Sequence, residues 1–231
     1  MSYLTNILSN FVSLLYPVTC AGCDERLLQN ESSICTNCKY DLPKTNFHDD
    51  SNNEVCKLFW GRANIHSATS FFFFNKSGKV QNMIHALKYR SNQSVGESLG
   101  KLFGHDLKAT KNFNSIDMII PVPLHKNKLK LRGFNQSEVI AKGLADAMEI
   151  PENLSALVRV AEGETQTKKS KFHRWVNIKD AFEISDEKVL KGKHILLVDD
   201  VITTGSTLTS CAEKLLEING TKVSVATLAC A

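Results

Sequence analysis

The sequence predicts an α/β domain built on a mostly parallel sheet, preceded by a small unit held together by cysteines. Three observations carry this prediction. From about residue 68 onward, short apolar runs alternate with segments of helical periodicity, the pattern of strand–helix–strand units. One apolar run, Ile195–Val198, ends in two carboxylates and then a Thr-Thr-Gly-Ser-Thr turn. Upstream, four of the 7 cysteines form two CxxC pairs, Cys20-Ala-Gly-Cys23 and Cys35-Thr-Asn-Cys38.

Composition narrows the class. At 231 residues, with 42% hydrophobic and 23% charged residues, the chain is neither disordered, collagen-like nor a coiled coil, and it can bury a core without staples. A formal net charge of +4 is too small to argue for a nucleic-acid partner by itself. No apolar stretch reaches the ~18 residues of a membrane span. Leu4, Ile7, Leu8, Phe11, Val12 and Leu15 recur at helical spacing, so the N-terminus reads as an amphipathic helix. Near Met1 there is no Lys or Arg, and Asn6, Ser9, Asn10 and Ser13 break the apolar run, unlike a secretory signal. The expected location is cytoplasmic.

The elements follow in order. Each CxxC places two thiolates on a tight turn, and Gly22 gives the first turn its freedom. Two such turns separated by a short loop suit a tetrahedral metal. Zinc fits best, iron would use the same ligands, and a closed set of four makes the site structural. A disulfide pair is disfavoured in a reducing compartment. Cys56, Cys211 and Cys230 stand alone, and His48 reads as a loop residue. Thr45–Asn53, rich in Asn, Asp and Ser, reads as a loop or linker, which puts a domain boundary near residue 60: residues 1–60 for the terminal helix and the metal unit, 61–231 for the α/β domain. Strands are expected at Ala68–Phe74, Ile116–Ile120, Leu157–Val160, Ile195–Val198 and Lys222–Leu228. Helices are expected at Gly78–Arg90, Val95–Lys108, Ser137–Met148 and Ser206–Ile218.

The segment from Ile195 to Thr207 is the most informative. Four apolar residues make a buried strand. Asp199 and Asp200 leave its C-terminal end, where ligands sit in open α/β sheets. Thr203, Thr204, Gly205, Ser206 and Thr207 then open a helix, offering backbone N–H groups and hydroxyls to a phosphate. Acceptors for sugar hydroxyls thus stand beside donors for a phosphate, and a ribose 5-phosphate suits both. A Walker-type nucleoside triphosphatase would need a GxxxxGK[ST] motif, and the sequence has none. A response-regulator receiver would need about a hundred residues after the acidic pair.

These residues carry a resemblance. Ile195–Thr207 resembles the phosphoribosyl-pyrophosphate signature of type I phosphoribosyltransferases. Pro121-Val122-Pro123-Leu-His125, Arg132-Gly-Phe-Asn-Gln136, the stretch from Gln166 through Arg174 to Asn177 and Ala181-Phe182, His85-Ala-Leu-Lys-Tyr89 and the CxxC pairs together resemble the competence protein F (ComF) family over nearly the whole chain. The resemblance implies a type I phosphoribosyltransferase fold after an N-terminal zinc ribbon, with structural zinc on Cys20, Cys23, Cys35 and Cys38. Many relatives carry further cysteine pairs; here only Cys56 stands in that stretch, which implies one metal site. It further implies that Asp199 and Asp200 hold the ribose hydroxyls and that Val201 and Thr203–Thr207 form the 5-phosphate loop. Pro121, Val122, Pro123, Arg132 and Gln136 would lie on the pyrophosphate side. Gln166, Lys168 and Arg174 would belong to a mobile hood over the leaving group, with Mg²⁺ on the pyrophosphate, and Asn177 and Phe182 would anchor the base of that loop. In the catalytic reading the acceptor is open. In the alternative reading the fold is a non-catalytic module of the DNA-uptake machinery that holds nucleotides or single-stranded DNA. Its basic clusters, His125 to Arg132 and Lys168 to Arg174, would follow a phosphate backbone, and DNA-uptake proteins would be its partners.

Overall fold

The computed structural model describes residues 17–76, 78–90, 92–160 and 181–231. The expected N-terminal helix, and Gln166, Lys168, Arg174 and Asn177, lie outside the described residues. The strands are β1 (Ser67–Phe73), β2 (Met118–Pro121), β3 (Leu157–Arg159), β4 (Phe182–Ile184), β5 (His194–Ile202) and β6 (Lys222–Cys230). The helices are α1 (Thr36–Tyr40), α2 (Glu54–Lys57), α3 (Lys79–Tyr89), α4 (Gln93–Lys108), α5 (Lys126–Arg132), α6 (Gln136–Met148), α7 (Glu187–Leu190) and α8 (Ser206–Leu216).

Among the described residues, β1, β6, β5 and β2 form one sheet in that order, with all three pairings parallel. Alternation along β5 sends Leu196 and Val198 to one face and Ile195 and Leu197 to the other, as a strand buried on both faces requires. The first face is covered by α3, α4 and α6, the second by α8 and the segment around Phe59. Helices α4 and α6 pack backbone to backbone: a Cβ on Gly100 would lie 2.4 Å from the Ile140 carbonyl oxygen, and one on Gly143 would lie 2.3 Å from that of Glu97. Glycine is required at that crossing.

Both sheet edges are covered. Lys44 bridges antiparallel to Phe72, and Thr45 N–H donates to the Phe71 carbonyl at 3.0 Å. Glu152 bridges to Ile119 beside β2. Covered edges leave no open ladder for a stray strand. The polar stretch 45–53 is built into this cover. Phe47–Asp49 forms a 3₁₀ turn, and buried Asn53 caps α2 while its amide donates to the Ala68 carbonyl at 2.8 Å. His48, expected in a loop, is buried in the same turn.

Two further features differ from expectation. Strand β5 runs through the acidic pair to Ile202, because Asp199, Val201 and Ile202 keep pairing with Thr227, Ala229 and Cys230 of β6. The basic segment after Pro123 is a helix, α5, capped by His125 and closed by Gly133 at φ 79°; Lys, Leu and Arg are strong helix formers even without a buried face.

Candidate functional site

The strand lengths create the site. Strand β2 ends its pairing at Pro121, opposite Val198, whereas β5 continues four residues further. Asp199 and Asp200 therefore stand on a ledge whose β2 side is open, the crevice in which parallel α/β sheets bind ligands. Ser137, in the first turn of α6, donates from its hydroxyl to Asp199 Oδ1 at 2.9 Å, and the Asp200 N–H donates to the same oxygen at 2.8 Å. Burial raises the Asp199 carboxyl to about 7, and the charge of Asp200 adds to the rise, against the opposing effect of those hydrogen bonds and Lys88.

Asp200 is paired differently. Its carboxylate meets Lys88 Nζ at 2.9 Å, with the two side chains 13% and 19% exposed. Two neighbouring carboxylates thus have different partners, a hydroxyl for one and an ammonium for the other. Lys88 lies in the His85–Tyr89 motif, but no spacing rule connects it to a strand more than a hundred residues away.

After Ile202 the chain turns into α8 through Gly205, at φ 71°, a conformation that favours glycine. Asp199, Val201, Thr203, Thr204, Gly205, Ser206 and Thr207 surround a concavity of about 70 Å³ at the N-terminus of α8. Thr204 and Ser206 hydroxyls are 3.0 Å apart. Arg62, not foreseen from sequence, clamps this loop from outside. Its Nη1 donates to the Thr204 carbonyl at 2.8 Å and its Nη2 to Ser206 Oγ at 3.3 Å. Helix N-terminus, hydroxyls and guanidinium all favour an anion here.

On the β2 side, Pro121 and Val122 are buried, and Val122 N–H donates to the Val198 carbonyl at 2.8 Å. Pro123 is the first residue of this turn to emerge. Asn135 caps α6 and its amide donates to the Val122 carbonyl at 3.0 Å, fixing the turn to the helix. Arg132 Nη1 donates to Gln136 Oε1 at 2.6 Å, and Gln136 Nε2 donates to the Phe134 carbonyl at 3.2 Å. Gln136 is 1% exposed, and its amide oxygen holds the Arg132 guanidinium. The Arg132 guanidinium also lies over the Tyr89 ring, 5.9 Å from its centroid. Strands β3 and β4, paired antiparallel, flank residues 161–180, and buried Phe182 fixes the β4 end.

The four cysteines form a separate centre. Their sulfurs all lie within 4.8 Å of one another. Cys23 and Cys35 sulfurs are 3.7 Å apart, too far for a disulfide and close to the edge of a tetrahedron with ~2.3 Å metal–sulfur bonds. Backbone N–H groups of Gly22 and Cys35 point at Cys20 Sγ, at 3.4 and 3.2 Å. Burial acts to raise the Cys20 thiol, but these donors outweigh it and bring the thiol down to about 7. Burial, reinforced by the neighbouring thiols, pushes Cys38 up. The donor set fits one zinc ion. No other group of three or more Cys, His, Asp or Glu side chains suited to a metal occurs among the described residues. Cys56 is instead buried against the Ala68 backbone, with its Sγ 3.3 Å from the carbonyl oxygen.

Residues 135–230 match the phosphoribosyl transferase domain family, a span that runs from the cap of α6 to the end of β6 and includes the acidic pair and the phosphate loop. The chain is 32% identical over 146 residues to the DNA utilization protein YhgH of Escherichia coli O157:H7, covering 62% of this chain and 63% of that one. It is 31% identical over 147 residues to competence protein F of Haemophilus influenzae, covering 62% and 64%. Over these stretches the chain is similar to competence protein F. Its aligned part spans just under two thirds of each of these two relatives. Among solved structures, the glutamine phosphoribosylpyrophosphate amidotransferase of B. subtilis aligns over 58% of this chain and 26% of that one, at 25% identity and a TM-score of 0.42. The family match and the parallel sheet give the chain the type I phosphoribosyltransferase fold, with a four-cysteine unit suited to a zinc ribbon ahead of it. No helix among its described residues is long and apolar enough to cross a membrane.

Proposed function

We propose that the chain binds phosphoribosyl pyrophosphate with Mg²⁺ along the β5–β2 crevice and transfers the phosphoribosyl group to an acceptor. The observation that carries this reading is the juxtaposition at the end of β5: paired carboxylates on an open ledge, directly followed by an anion cradle at the start of α8. The 5-phosphate rests on Thr203–Thr207 against the N-terminus of α8 and the Arg62 clamp. Asp199 and Asp200 accept from the ribose hydroxyls, which holds the anomeric carbon over the crevice. The pyrophosphate lies toward Pro121–Pro123 and Arg132. Lys168 and Arg174, with Gln166, all from the sequence between β3 and β4, are assigned to the leaving group.

In the step itself, a nucleophilic atom of the acceptor bonds to the anomeric carbon as its bond to the pyrophosphate oxygen breaks. The bonding pair leaves on pyrophosphate, and the acceptor's proton passes to solvent or to the departing phosphate. Hard oxygen donors line the crevice and suit Mg²⁺, which when bound to the pyrophosphate offsets its charge. The protein's share is positioning and electrostatics.

The test is calorimetric titration of phosphoribosyl pyrophosphate into wild type and an Asp199→Asn/Asp200→Asn variant, beside isotope-labelled turnover with pooled bases. Binding lost in the variant with its thermal unfolding preserved is the expected result; unchanged affinity overturns the assignment. A second reading rests on α5, whose Lys126, Lys128, Lys130 and Arg132 project with no buried residue on the helix, and on the DNA-related names of the relatives. In that reading the chain holds single-stranded DNA in the cytoplasm beside DNA-uptake proteins. Single-strand affinity falling steeply with salt, with no turnover, favours it.

A further inference from the structure

A cavity of about 550 Å³ lies beside the Arg62 clamp and shares no lining residue with the concavity at the start of α8. The phosphoribosyl reading does not use it, and its size falls in the range of small-molecule sites, ~300–1,000 Å³. Trp60, Arg62, Asn64 and His66 line it, with Ser51 and Ser67. No aspartate or glutamate does. The nearest acids along the chain are engaged: Asp50 accepts from the Asn52 N–H at 2.8 Å, and Glu54 pairs with Lys57 at 2.7 Å. A neighbouring cavity that shares Arg62 and Asn64 has Glu213 and Glu217 in its wall, so an anion is better received in the first. Trp60 is 62% exposed although Phe59 before it is fully buried. The Arg62 and Ala63 N–H groups both donate to the Phe59 carbonyl at 3.0 Å, so the indole stands on a braced turn. A large exposed ring on a fixed base offers a face for stacking. The His66 ring is held edge-on against His194, with centroids 4.8 Å apart at 85°.

We infer that this cavity is a regulatory site for a free nucleoside monophosphate, whose base stacks on Trp60 and whose phosphate reaches Arg62 and His66. The Arg62 guanidinium gives one donor each to the Leu58 carbonyl, the Thr204 carbonyl and Ser206 Oγ, three of its five, which leaves capacity for a phosphate. Guanidinium pairs more strongly with a phosphate than with a hydroxyl, so the Ser206 contact, the longest at 3.3 Å, is the one most readily given up. Arg62 therefore serves two places at once. A nucleotide that draws it over loosens the loop at the start of α8 and weakens 5-phosphate binding there, and by linkage the reverse holds. The site stands without the phosphoribosyl reading, and its coupling to the loop rests on that reading.

The experiment uses the full chain carrying Trp175→Phe, which leaves Trp60 as the remaining one of the 2 tryptophans. The probe is adenosine 3′-monophosphate, which has no 5-phosphate for the loop. It should quench Trp60 fluorescence and bind about tenfold more tightly than adenosine. The quench should persist when Asp199→Asn/Asp200→Asn is added. Saturating probe should weaken ribose 5-phosphate binding several-fold in calorimetry, and Arg62→Ala should abolish that difference. Should Trp175→Phe not fold, calorimetry of the probe on wild type and Trp60→Ala takes its place, with about tenfold loss expected. No binding overturns the site and leaves the phosphoribosyl reading to its own titration. Binding that vanishes with the two aspartates puts the nucleotide in the crevice and overturns the site equally. Adenosine as tight as its phosphate overturns the role given to Arg62. A short oligothymidylate that binds more tightly than the mononucleotide makes a strand the occupant and overturns the ligand class. Binding of the probe with ribose 5-phosphate affinity unchanged overturns the coupling alone. If ribose 5-phosphate does not bind at all, the phosphoribosyl reading fails while the quench still decides the site.

Discussion

Asp199→Asn tests the electrostatics of the ledge. In the folded chain the Asp199 carboxyl sits at about 7 instead of 3.8. Between those values the folded state keeps a proton that the unfolded chain has released. Stability from this group is therefore fully present below about pH 4 and is lost as pH rises toward 7. At ~1.4 kcal/mol per pH unit the displacement corresponds to about 4 kcal/mol, and the open crevice beside the carboxyl lets water relieve part of it, leaving about 2 kcal/mol. Asparagine copies the protonated form: its Oδ1 can still accept from Ser137 and from the Asp200 N–H. His194 complicates the raw profile. Burial first, then His66 and Lys222, lower it to about 4, so it stays neutral between Ser115 and Ser224 and adds stability as pH climbs from about 4 to 6.5. The difference between variant and wild type cancels that contribution. Urea denaturation from pH 5 to pH 8 should show Asp199→Asn gaining about 1 kcal/mol on wild type, the rest of the effect lying below pH 5. A flat difference curve, or a variant weaker at pH 8 than at pH 5, refutes the argument.

Other perturbations follow from the same contacts. Lys88→Met leaves Asp200 without its counter-charge and should cost about 2–4 kcal/mol by urea midpoint at pH 7. Arg62→Ala frees the Thr204 carbonyl and should weaken ribose 5-phosphate binding several-fold in calorimetry while barely changing stability. Gly100→Ala forces a Cβ to 2.4 Å from the Ile140 carbonyl oxygen and should lower the melting temperature by spreading α4 from α6. Metal analysis should find one zinc per chain, and chelation should lower thermal stability.

What the sequence revealed tracks how local each signal is. The β5 run, the Thr203–Thr207 turn and the four cysteines are contiguous patterns, and they lie in the structure where those patterns place them. Helices α3, α4, α6 and α8 were legible because their apolar faces repeat every three to four residues. Arg62 and Lys88 were not, since the sheet order alone brings them to residues 204 and 200. The extension of β5 was hidden because paired carboxylates look like a strand end, when their backbone still has β6 to bond. Helix α5 was hidden because it buries no face. Asn53 shows why polarity misleads: it looks like linker composition, yet its amide and carbonyl serve the α2 cap and the Ala68 backbone.

Helix α3 touches both centres. Its first half carries the cysteine unit: Lys79 pairs with Asp41 at 2.5 Å, Asn82 donates to the Gly22 carbonyl at 3.0 Å, and Met83 packs where any side chain on Gly22 would collide. Its last turn carries Lys88, ~8 Å further along at 1.5 Å per residue. The helix is therefore placed to act as a lever, with the cysteine unit as fulcrum and as load the carboxylate to which the proposed function gives the sugar. An oxidant that strips zinc by joining thiols should be felt at Asp200 without ever reaching the crevice, so on the proposed function the half with the phosphoribosyltransferase fold would inherit the redox sensitivity of the cysteine unit. Ribose 5-phosphate affinity measured before and after mild peroxide treatment reads this directly: an unchanged value after metal loss would show the lever to be slack.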